Sequence, residues 1–126
     1  MPDSVAKLLS KYKASVQSLA LSTRRLVHDV VRGAQEQTDS SGQRIGYGLG
    51  PKMTDTVCVI MLSKKGVKLG LFDGASLADP ADILRGGGKR HRHVPLYDPA
   101  EVTRPAVRAL LKAALAAAKA RRLTRA

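Results

Sequence analysis

Apolar residues near the N-terminus recur at three- and four-residue spacing. Val5, Leu8, Leu9 and Tyr12 fall on one side of a helix that starts near Asp3 or Ser4. After a bend at Tyr12–Ser15, a second helix is predicted from Ser15 to Ala34. Its apolar stripe is Val16, Leu19, Ala20, Leu26, Val27, Val30 and Val31, and Gly33 is its stop signal. Beyond it, "QTDSSGQ" reads as a polar link and "RIGYGLGPKM" as a short strand followed by a loop. The period then changes to two. Thr56–Leu62 is apolar and β-branched, "SKKG" suits a hairpin turn, and Val67–Phe72 alternates behind it. Val67, Leu69 and Leu71 share one face and Lys68, Gly70 and Phe72 the other, the pattern of an antiparallel sheet covered on one side.

"DGASLADPADILRGGG" is predicted to be a connection with one short helical turn, capped by Asp79 with Pro80 in the first helical position. "KRHRHVPLY" reads as a further strand, with Pro95 favouring a sheet edge. Asp98-Pro99-Ala100-Glu101 has the cap, the proline and the acidic third position of a helix start. Pro105 separates that turn from a C-terminal helix beginning near Thr103 or Arg104, with an apolar stripe of Val107, Leu110, Leu111, Ala114, Leu115 and Ala118. The order predicts an α+β fold: an antiparallel β-sheet packed with two N-terminal helical segments and one C-terminal helix. The chain of 126 residues suits a single domain spanning 1–126, with a basic C-terminal tail over 119–126 that would fray.

Charge adds a candidate function. The net charge is +12, and from Arg85 onward eleven Lys and Arg face only Asp98 and Glu101, a local excess of nine. Such a field favours an anionic small molecule, an acidic protein or nucleic acid. Only four aromatic residues (three Tyr and one Phe) are present, too few for a long base-stacking platform, so nucleic-acid binding would be weak and non-specific. Neither a signal-peptide pattern nor a bilayer-spanning apolar run is seen, and one cysteine cannot form an internal disulfide. A cytoplasmic location is the expectation.

The chemistry-bearing stretch is "GGGKRHRHV". It fails the phosphate-loop pattern, because Arg90 stands where Ser or Thr should follow Lys89 and Ile83 where the first Gly should be. "GYGLG" likewise departs from the dinucleotide fingerprint. His91 and His93 would share a face of a strand and could share a metal, but Lys89, Arg90 and Arg92 oppose a bound cation. Cys58 lies in an apolar strand and reads as a small buried hydrophobe. No residue set points to catalysis and no cofactor is expected from the residues. The candidate site is an anion-binding turn and strand made of Gly88, Lys89, Arg90, Arg92 and His93, with glycine freedom turning backbone N–H groups toward the anion. A purely structural use is open beside it, in which Lys89 and Arg92 pair with Asp73, Asp79 or Asp82.

The same stretch carries a family likeness. A Gly-Tyr-Gly strand, a hairpin, and then Gly74, Leu77, Asp79, Pro80, Ile83, Leu84, Gly86, Gly88, Lys89, Arg92 and His93 at their present spacing resemble the YdhG-like family of small bacterial domains of unknown function. The N-terminal helices and "RPAVRALLKAAL" fit as well, so the likeness covers nearly the whole chain. It implies an α+β fold. Some members are described as frataxin-like iron chaperones, so the resemblance also implies iron binding as an alternative to a binding or accessory module. Gly87 and His91 depart from the family pattern, and this chain has only ten acidic residues.

Overall fold

A computed structural model describes residues 2–125. Its elements are α1 (Asp3–Leu9), α2 (Ala14–Val30), β1 (Gln35–Asp39), β2 (Arg44–Gly48), β3 (Thr56–Leu62), β4 (Val67–Leu71), β5 (Arg92–Leu96), α3 (Pro99–Val102) and α4 (Pro105–Arg125). The five strands form one antiparallel sheet in sequence order, β1-β2-β3-β4-β5. The expected α+β architecture is what the chain adopts. Among the described residues no helix is long and apolar enough to cross a membrane.

Strand parity decides the layers. Ile45, Tyr47, Cys58, Ile60, Leu69, Leu71, Val94 and Leu96 are all buried, and cross-strand partners such as Ile45 and Ile60, or Leu69 and Val94, lie side by side. Against them pack Val5, Leu8 and Leu9 of α1, Leu19 and Val27 of α2, and Val107, Leu111, Ala114 and Ala118 of α4. Removing this much hydrocarbon from water drives the fold, at roughly 25 cal/mol per Å². The opposite sheet face carries Arg44, Gly46, Val59, Met61, Lys68, Gly70, His93 and Pro95, and no α-helix among the described residues covers it.

Helix ends follow local chemistry. Asp98 accepts a hydrogen bond from the N–H of Ala100 at 2.8 Å and caps α3, a contact of a kind worth about 1 kcal/mol. Asp79 accepts from the N–H groups of both Ile83 (3.0 Å) and Leu84 (2.9 Å), so it organises a turn there and no helix forms. The helical turn of this connection lies earlier, as a 3₁₀ turn over Gly74–Ser76. There the close approach of Arg92 requires glycine: a Cβ on Gly74 would lie 2.8 Å from the Arg92 Cβ.

Three expectations are corrected. β1 occupies Gln35–Asp39, where a polar link was read. α2 ends at Val30 rather than Ala34. β5 begins at Arg92, and Lys89–Arg90 form a bend before it. Residues 119–125 belong to α4, and Arg121 and Arg122 bond that end to the body of the protein; Ala126 lies outside the described residues.

Candidate functional site

The bend before β5 is built by its own side chains. The Arg92 guanidinium donates to the carbonyls of Gly88 and of His91, the latter at 2.8 Å, and so clasps the turn. Arg85 and His93 exchange backbone hydrogen bonds at 2.8 and 2.9 Å, which adds a one-residue bridge to the outer edge of β5. Arg90 pairs with Asp73 at 3.2 Å, and Asp73 also meets Arg121 of α4 at 3.5 Å. Lys89 is exposed and has no ion-pair partner among the described residues. The two cations first matched to the neighbouring acids therefore do something else. Arg90 takes Asp73, Arg92 takes backbone carbonyls, and Lys89 stays in solvent.

His91 lies outside the strand. Its ring meets Phe72 edge-on at 4.9 Å between centroids, and its Nδ1 accepts weakly from the N–H of Asp73 at 3.4 Å. His93 is on β5 opposite Gly70, on the open face of the sheet. Burial, and then the positive charge of Lys68, lowers its pKa from the usual histidine value. Cys58 and Tyr47 point the other way, into the helix-covered core. Burial raises the Cys58 thiol pKa, so that sulfur is an unreactive core group. Cys58 thus has no route to a shared metal with His93. Among the described residues no group of three or more His, Cys, Asp or Glu gathers as metal ligands.

His91, Arg92 and His93 come together along one wall of a groove of about 320 Å³ on the open sheet face. Val59, Met61 and Phe72 supply its apolar surface, and Arg44 and the exposed Met53 stand at its other end. Gly70 is its floor. A Cβ there would lie 2.8 Å from the Met61 methyl, so glycine keeps the groove deep and the methionine flat. No carboxylate is among the described residues that line it. Gly88, Lys89 and Arg90 lie outside it. The sequence marked the histidines and Arg92, and alternation over Val67–Phe72 set Phe72 on the face opposite Leu69 and Leu71, but the continuous apolar run Thr56–Leu62 gave no direction for Val59 and Met61.

A second constellation escaped the sequence entirely. Glu36 of β1 accepts from Arg24 Nε (2.7 Å), Arg24 Nη2 (3.1 Å), the Tyr47 hydroxyl (2.7 Å) and His28 Nε2 (3.0 Å). Burial alone would raise the Glu36 pKa. The hydrogen bonds from Arg24, Tyr47 and His28 outweigh it and bring the carboxyl down to about 2. Burial, and then the bond to Glu36, pushes the Tyr47 hydroxyl pKa up. His28 also meets Tyr47 edge-on at 5.5 Å. Only the eight-residue separation of His28 and Glu36 hinted at this, and nothing in it distinguishes a contact from coincidence.

No protein-family model matches this chain, and no curated protein or solved structure matches it.

Proposed function

We propose that the protein is a non-enzymatic binding module whose open sheet face takes a flat organic anion. The observation that carries this reading is the groove itself: an apolar bed of Val59, Met61 and Phe72 over a glycine floor, rimmed by His91, Arg92, His93 and Arg44, with no carboxylate among the described residues that line it. A planar hydrocarbon lies on such a bed, and an acid group at its end meets the basic rim. Arg92 and His93 are also among the residues on which the proposed likeness to YdhG-like domains rests. Lys89 and Arg90 act at a distance here, adding positive potential beside the rim.

Titration with 2-naphthoate, followed by NMR, tests the proposal. Saturable shifts are expected at the Met61 methyl, Gly70 and His93, with a Kd of about 1 mM, as small aromatic acids of this size allow. Uncharged 2-naphthamide should bind more weakly. Gly70→Val fills the floor and should abolish the shifts. Their absence in the native protein, or their survival in Gly70→Val, would overturn the reading.

A further inference from the structure

The Glu36 network stands behind a separate cavity of about 940 Å³ between α2, α3 and α4. His28 lines that cavity, its side chain 38% exposed. Its Nε2 faces the Glu36 carboxylate, which can only accept, so Nε2 carries the hydrogen. That bond sets the tautomer and the ring orientation, and Nδ1 has no protein partner among the described residues. Arg24 and Tyr47 fix Glu36 in turn. The arrangement holds one imidazole nitrogen free on a ring tied from behind.

The rest of the lining combines basic and hydroxyl groups with hydrocarbon. Arg25 of α2 and Arg108 of α4 bring guanidinium groups to it, and Thr103, which caps the end of α3, brings a hydroxyl that donates to the Ala100 carbonyl at 2.9 Å. Leu26, Pro99 and Val102 supply hydrocarbon. Asp29 also lines it but is held by Arg108, and its pKa is lowered first by that hydrogen bond, with Arg32 and Lys112 adding smaller effects. Five cations (Arg24, Arg25, Arg32, Arg108 and Lys112) thus stand around Glu36 and Asp29, and the local field stays positive.

We propose that this cavity binds a phosphomonoester, with His28 as the residue that reads the phosphate. Guanidinium donors arriving from two helices, with the His28 ring between them, suit a tetrahedral group with three terminal oxygens better than a planar carboxylate. The free Nδ1 discriminates in the same direction. A phosphomonoester loses its last proton at a pKa of about 6, so its monoanion still carries a P–OH that can donate to Nδ1. A neutral imidazole facing an ionised carboxylate would instead set lone pair against lone pair. The apolar wall takes the organic part of the ester. This proposal is independent of the sheet-face groove.

The test uses the native protein with phenyl phosphate and reads the imidazole nitrogens by NMR. The His28 Nδ1 signal should shift saturably with a Kd of about 1 mM or tighter, while the Met61 and Gly70 signals stay in place. Benzoate should bind at this cavity at least about tenfold more weakly. His28→Ala should remove binding, and Glu36→Gln, which loosens the ring, should weaken it by about threefold to tenfold. Lys64→Ala, remote from the cavity, should leave it unchanged. No saturable shift at His28 in the native protein, equal binding of benzoate, or full affinity in a folded His28→Ala variant overturns the proposal. The native-protein measurement decides even if a variant does not fold.

Discussion

Three side chains converge on the Glu36 carboxylate, and that convergence has a thermodynamic consequence. Its side chain is only 11% exposed, so the charge is sustained by its donors rather than by water. The folded-state pKa of about 2 lies below the ordinary glutamate value. Glu36 therefore contributes stability that is fully present above about pH 4.5 and is lost as pH falls through 2, up to about 3 kcal/mol for a shift of this size. Urea unfolding should give similar midpoints at pH 7 and pH 5, then a steep loss below pH 4.5. In Glu36→Gln the midpoint should start lower and the acid loss should shrink. Equal acid losses in the two proteins would show that other carboxylates, such as Asp29 and Asp39, govern the transition.

The same residue explains what was hidden at the scale of elements. β1 pairs with β2 so that Glu36 lies opposite Tyr47 and Thr38 opposite Ile45, which makes its inward positions polar. Alternation of apolar and polar residues is the signal for a strand, and a strand whose inward side chain is a hydrogen-bonded carboxylate does not produce it. β3, β4 and the hairpin between them were legible because their inward residues are hydrocarbon. α4 was legible for the same reason, but not its end. Arg121 donates to the carbonyls of Thr54 (3.2 Å) and Thr56 (2.9 Å) and lies 4.6 Å from the centre of the Phe72 ring. Spacing places an arginine on a helix face, but it does not reveal which loop returns to meet it. Arg121→Ala should cost about 1–3 kcal/mol and speed amide exchange in the last two turns of α4. Lys119→Ala, an exposed neighbour, should change stability by less than about 0.5 kcal/mol. Unchanged exchange in Arg121→Ala would show that the helix end is held by other contacts.

Across the whole molecule the two kinds of cation divide their work. Arg24, Arg44, Arg85, Arg90, Arg104, Arg108, Arg121 and Arg122 each pair with a carboxylate, whereas no lysine forms an ion pair among the described residues. Planar guanidinium forks fit carboxylates in partly buried places, and ammonium groups remain better solvated. The outward field of a chain at +12 is therefore carried mainly by lysines. Three of them gather where the bend after α1 meets the β3–β4 turn: Lys11, Lys13 and Lys64 line one cavity of about 520 Å³ with Tyr12 and Gln43, and no carboxylate is among the described residues that line it. A duplex DNA oligomer serves as a polyanion probe of this arrangement. Each lysine that contacts a phosphate contributes about 0.9 to the slope of log Kobs against log salt. Replacing Lys11, Lys13 and Lys64 together by Ala should lower the slope by between two and three such units, whereas replacing Lys112 and Lys119 on α4 should change it little. A larger loss from the α4 pair would relocate the field to the C-terminal helix, where the count of charges along the chain had placed it.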